Sequence, residues 1–201
     1  MYLCGSYILN VMIDGKQVIL GIDPGTNNMG FGIVRIENRQ IRFVKMGVLK
    51  IDAKRGQLLK LKDIFEETSR LIQTYSPDVL SIEAPFYGKN IQSMLKLGRA
   101  QGVAIAAAVH QDIPVFEYSP RKVKLAITGK GSASKEQVAA MLHHLVDFEY
   151  DSTLFDATDA LAIAICHHVQ NKSILGEKQY SGWGAFLSKN PERVKKNEKK
   201  S

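Results

Sequence analysis

Cysteine is scarce in this sequence: two residues in 201, Cys4 and Cys166. They stand at opposite ends of the chain and match no metal-ligand spacing. That pattern fits a reducing, cytosolic setting, with Cys166 a small buried apolar residue. Long apolar runs are also missing, so no segment is suited to cross a membrane. Residues 1–17 contain a short apolar run without a basic start or a clear cleavage site, which argues against a signal peptide. No internal repeat is visible.

What remains is a mixture ordinary for a globular protein, 45% hydrophobic and 23% charged, of a size for one domain with short tails. A core can form without covalent staples. The net charge is +7 and the pI about 9.3, which favours nucleic acid or an anionic surface as partner. Much of this charge is local. Between Lys189 and Ser201 six cations face two acids, a net of +4 that leaves +3 on the rest. A charge run of this kind is usually a solvated tail and does not by itself establish DNA binding. Residues 1–17 read as an N-terminal extension, 18–171 as the folded domain and 172–201 as a basic tail. Met12 precedes the first strand, so the first eleven residues read as an alternative start or a disordered extension, which mass spectrometry of the native N-terminus distinguishes.

Gln17–Ile22 is apolar and β-branched and ends at Asp23-Pro24-Gly25, the pattern of a buried strand running into a turn. Phe31–Ile36 and Ile41–Ile51 continue as strands two and three. The short connections imply an antiparallel meander. Leu58, Leu61, Ile64, Phe65, Leu71 and Ile72 keep helical spacing over about Gly56–Tyr75. Val79–Glu83 is a short buried strand, Asn90–Gln111 a long helix, and Val115–Tyr118 a fifth strand. Ser119 caps the next helix with Pro120 at its first position. After the Gly129–Ser134 loop, Ser134-Lys135-Glu136-Gln137 resembles a capping box for a helix to about Leu145. A last helix spans about Leu154–His168. Helices between strands three and four and between four and five imply crossovers. The expected fold is therefore α/β, a five-stranded mixed sheet flanked by helices.

Four acids stand out by position. Asp23 ends the first strand, Glu83 ends the fourth, and Asp156 and Asp159 open the last helix, three apart and so on one face. Brought together, such carboxylates repel one another unless a cation neutralises them. An all-oxygen set suits Mg²⁺ or Mn²⁺, and two such ions can activate a water and stabilise the leaving oxygen of a phosphodiester. Each acid also has a plainer reading. Asp23 fits a turn aspartate, Asp156 a helix N-cap, and Asp159 a dipole partner in the first turn. Glu83 is harder to explain that way, following Val-Leu-Ser-Ile in a buried strand.

Several segments resemble the RuvC family. They are Ile19-Leu20-Gly21-Ile22-Asp23-Pro24-Gly25-Thr26 with Gly30-Phe31-Gly32, then Ile82-Glu83 with Phe86. Lys89-Asn90 and Leu95–Ala104 follow along the long helix, then Pro114–Tyr118, Val123-Lys124 with Gly129, Gly131-Ser132-Ala133 and Lys135, and finally Asp156–Ala164. They keep the family's order over most of the chain. The resemblance implies an RNase H-like fold and a homodimer that cuts two strands of a four-way (Holliday) DNA junction symmetrically, in recombination and repair. It implies that Asp23, Glu83, Asp156 and Asp159 bind two Mg²⁺, or Mn²⁺, per active site. Lys124 and Lys135 would lie near the scissile phosphate and Phe86 would probe bases at the crossover. It further implies partnership with the RuvA–RuvB branch-migration complex. Ala84-Pro85 departs from the family pattern beside Phe86, and the N-terminal extension and the Trp183-bearing tail lie outside the shared region.

Gly98, Gly102 and Ala106 recur along the long helix, a stripe that suits close packing on the chain's own sheet or on a second subunit. His143-His144 reads as helix surface and His167-His168 as a helix C-terminal pair favoured by the dipole. Trp183 and Phe186 read as anchors of the tail, with stacking on DNA as the alternative. Three other functions compete. Asp23-Pro24-Gly25-Thr26 with Gly30 resembles the first phosphate loop of sugar-kinase or actin-like ATPases, but the second domain and loop that those need are not here. An idle junction-binding module conflicts with the presence of all four acids. An RNA-cutting RNase H-like nuclease fits less well with Phe86, Lys124 and Lys135.

Overall fold

The structure is a computed structural model of the 201-residue chain and describes residues 16–38, 40–85, 90–148 and 155–176, the last five without their side chains. The N-terminal extension, Phe86, Trp183, Phe186 and the basic tail lie outside the described residues. The described residues up to Gln170 form one compact unit.

The elements run β1 (Lys16–Asp23), β2 (Asn28–Glu37), β3 (Gln40–Lys50), α1 (Gln57–Tyr75), β4 (Val79–Glu83), α2 (Ile91–Val109), β5 (Val115–Tyr118), α3 (Pro120–Thr128), α4 (Lys135–Leu145) and α5 (Phe155–Gly176). The five strands form one sheet in the order β3-β2-β1-β4-β5. The β1–β2 and β2–β3 pairs are antiparallel, and the β1–β4 and β4–β5 pairs parallel. The mixed sheet expected from the sequence is thus present. The parallel half requires α1 and α2 as crossovers.

Strand alternation divides the core into two layers. On one face, Leu20, Ile22, Ile33, Leu80 and Ile82 pack with Ile64, Leu71 and Ala104 of α1 and α2. On the other, Ile19, Val34 and Val79 pack with α3, α4 and the Leu161–Cys166 stretch of α5. The helix starts follow the local chemistry. Ser119 accepts a hydrogen bond from the Lys122 amide, with Pro120 in the first turn. Ser134 and Gln137 form a full capping box, and the Asn90 side chain caps α2 by accepting from the Ser93 amide at 3.1 Å.

One expectation changes and one open alternative narrows. The last helix continues to Gly176, so His167 and His168 are not at its C-terminus. They are buried core residues, at 1% and 7% exposure. The dipole argument failed because the helix does not stop at His168. The small-residue stripe also fails to pack on its own sheet: a Cβ added at Gly98 or Gly102 would meet nothing within 4 Å. Cys166 is buried, as expected.

Candidate active site

The β1–β4 ladder ends with Ile22 opposite Ile82. Asp23 and Glu83 are each the next residue, side by side where two parallel strands leave the sheet. Alternation gives them the same face. Asp23 shares its side with Ile19 and Gly21, and Glu83 shares its side with Val79 and Ser81. This is the face covered by α5, whose first turns carry Asp156 and Asp159.

Glycine allows that helix to come close. At Gly30, paired with Asp23 across β1–β2, a Cβ would collide with the Asp156 carbonyl. At Gly32 it would come within 2.6 Å of the Leu161 Cα. The glycines of the β2 strand therefore set the distance between the sheet and the helix that brings the second pair of acids.

The electrostatics confirm that these groups share one neighbourhood. Burial pushes the Asp23 carboxyl up to about 8, and the charges of Glu83, Asp159 and Asp156 add to the rise. Burial likewise pushes Glu83 up to about 7, reinforced by Asp159 and opposed by Lys135 and Lys124. Lys135, at the start of α4, reaches across to Asp159, with Nζ to Oδ2 at 2.5 Å. Burial opposes the charge on Lys135, but the hydrogen bond and charge of Asp159, with Asp23 and Asp156, outweigh it and raise its pKa overall. Six of the seven sequence-predicted site residues, Asp23, Glu83, Asp156, Asp159, Lys124 and Lys135, thus fall in one region. The seventh, Phe86, lies outside the described residues. Among the described residues, no group of three His, Cys, Asp or Glu side chains closes tightly enough to grip a metal ion.

Beside the two strand-end acids opens a cleft of about 460 Å³. Asp23, Glu83 and Pro85 line one side, and Asn90, Leu97 and Gln101 of the α2 region line another.

Comparison with known proteins supplies the class. The family model for "Crossover junction endodeoxyribonuclease RuvC" matches residues 19–167. The chain belongs to the RuvC family. The crossover junction endodeoxyribonuclease RuvC of Bacteroides fragilis is 53% identical over 182 residues, covering 90% of this chain and 97% of that protein. That of Cytophaga hutchinsonii is 50% identical over 179 residues, covering 89% and 88%. Among solved structures, T. thermophilus RuvC in complex with a Holliday junction substrate superposes with a TM-score of 0.73 at 28% identity, covering 78% of this chain and 95% of that one. The fold is accordingly RNase H-like, and the enzyme is a Holliday junction resolvase, an endonuclease of crossover DNA. This excludes the ATPase and RNA-nuclease alternatives.

Two features near the site were missed in reading the sequence. The Tyr118 hydroxyl and His167 Nδ1 are hydrogen bonded at 2.8 Å, and Phe116 packs on the same imidazole. Together they tie β5 to α5. Burial drives the His167 pKa down to about 4, and His168 lowers it further. The other feature is Gln101, whose buried amide has no apolar reason to be in the alanine-rich inner face of α2. That mismatch was the available signal.

Proposed function

We propose that Asp23, Glu83, Asp156 and Asp159 hold two divalent cations, Mg²⁺ or Mn²⁺, with which this resolvase hydrolyses one phosphodiester in each of two opposed strands of a four-way junction. The observation that carries this reading is the placement of Asp23 and Glu83 side by side, one residue past the β1–β4 ladder, where burial and the other acids push their carboxyls up to about 8 and about 7. A cluster so reluctant to ionise is one that a divalent cation stabilises, and its donors are all hard oxygens. Because Lys135 occupies Asp159, binding a cation calls for that ion pair to open. When bound, the cations would activate the attacking water and stabilise the leaving 3′ oxygen, giving 5′-phosphate and 3′-hydroxyl ends. Lys135, once released, and Lys124 would neutralise phosphates flanking the scissile bond. Phe86 would stack among bases at the crossover.

The same reading makes the enzyme a homodimer, since symmetrical cutting needs two active sites. The outward face of α2 suits the contact. Ile91, Leu95 and Val109 are exposed along the same face as the open Gly98 and Gly102, and an apolar stripe with small residues accepts a second copy of the helix. Residues 18–171 act as the nuclease domain. The setting is recombination and repair in the cytoplasm, with RuvA–RuvB as partner. Among the described residues no helix is long and apolar enough to cross a membrane.

The test separates chemistry from binding. Asp159→Asn should abolish junction cleavage while leaving junction affinity within a few-fold of wild type. Parallel loss of binding and cleavage would make Asp159 a scaffold residue instead.

A further inference from the structure

We propose that Gln101 is a positioning residue for Glu83, holding its main-chain carbonyl and so setting how tightly the acidic cluster binds divalent cations. The inference rests on the metal-holding role of Glu83 proposed above.

Gln101 is 6% exposed in a helix whose other buried residues are all alanines: Ala100, Ala104, Ala107 and Ala108. A buried amide costs stability unless its hydrogen bonds are made. Here one nitrogen makes two. Nε2 donates to the main-chain carbonyl of Glu83 at 3.1 Å and to Oε2 of Glu117 at 2.7 Å. Since Glu83 lies one residue beyond the β1–β4 ladder, its carbonyl has no ladder partner on the β1 side, and Gln101 supplies a donor. The second bond anchors that donor to β5, where Glu117 pairs with Ile82. The amide therefore bridges the ends of two parallel strands.

Gln101 comes from α2 and lines the same cleft as Asp23 and Glu83, but its amide nitrogen is taken up by the Glu83 carbonyl and Glu117, not by the Glu83 carboxylate. The amide fixes the peptide plane from which the carboxylate projects. Groups that orient a metal-binding carboxylate in this way typically change metal affinity or activity by about 10–100-fold when removed. A leucine of similar size would fill the space with less desolvation, so packing alone does not account for the amide.

The test is calorimetric titration of the full-length protein with Mn²⁺ in the absence of DNA, paired with thermal melts. Gln101→Leu should weaken Mn²⁺ binding by about 10-fold or more. Glu117→Gln leaves the amide at position 101 free to reach the Glu83 carbonyl and should bind Mn²⁺ within a few-fold of wild type. If a folded Gln101→Leu binds Mn²⁺ like wild type, or if Glu117→Gln loses as much affinity as Gln101→Leu, the bridge is merely structural and the inference is wrong. If Gln101→Leu does not fold, Gln101→Met, of similar length and without the amide, decides in its place. Wild-type protein that binds no Mn²⁺ would instead overturn the metal reading of the cluster, and this inference with it.

Discussion

Replacing Asp23 by asparagine should make the metal-free protein more stable while destroying its activity. The folded-state carboxyl titrates at about 8 against 3.8 for the ordinary group. Between those values the native state keeps a proton that the unfolded chain has released, so native stability falls as pH rises through that window. At about 1.4 kcal/mol per pKa unit, the cost approaches a ceiling of about 6 kcal/mol above pH 8. Asparagine keeps the shape and removes the ionisation. With that ceiling halved for relaxation around the buried group, a gain of about 3 kcal/mol at pH 8 corresponds to about 6–12 °C in Tm for a protein of this size. At pH 4 the two proteins should melt alike. Saturating Mg²⁺ should then reverse the order, because a cation that binds only the native state stabilises it by mass action and the variant has lost a ligand. Thermal melts of both proteins at pH 4 and 8, with and without Mg²⁺, make the comparison. An asparagine variant less stable than wild type at pH 8 without metal, or an equal Mg²⁺ response in both, would refute the reasoning.

Other perturbations read separate parts of the account. His167 titrates at about 4 in the folded protein against 6.5 ordinarily; its contribution is intact above pH 6.5 and is lost as pH falls towards 4. His167→Gln should remove about 3 kcal/mol of that acid sensitivity, seen in the difference between urea melts of the two proteins from pH 7 to 4; parallel profiles would contradict the assignment. Gly30→Ala drives a methyl into the Asp156 carbonyl and should cost at least about 1–3 kcal/mol together with cleavage, whereas unchanged melts would mean that α5 is free to retreat. Leu95→Glu on the exposed face of α2 should convert a dimer to a monomer by sedimentation; a variant that remains dimeric places the contact elsewhere.

Much of this was legible in the sequence because local patterns and tertiary needs agree. The strand ends at Asp23 and Glu83, the Ser134 capping box and the Asp156–Asp159 spacing are each short-range signals. The register, by contrast, is a tertiary fact. That Asp23 and Glu83 stand one residue past the same ladder depends on how β1 and β4 slide against each other, and no local pattern states it. His167 and His168 were misread because nothing near them marks a helix end, and the helix runs on to Gly176. Lys135 could be read as a phosphate contact but not as the partner of Asp159, a pairing between residues 24 apart. Gln101 sat within the family-like segment of α2. Its role became visible only when the carbonyl it serves was placed beyond the sheet.

The most direct test of the central claim is cleavage of an end-labelled synthetic four-way junction, with linear duplex and an RNA–DNA hybrid as controls, with and without Mg²⁺. Paired, symmetrically placed nicks are expected in the junction alone, only when the metal is present, and none with Asp23→Asn. Junction cleavage that persists in chelator, or that survives the loss of Asp23, would contradict it.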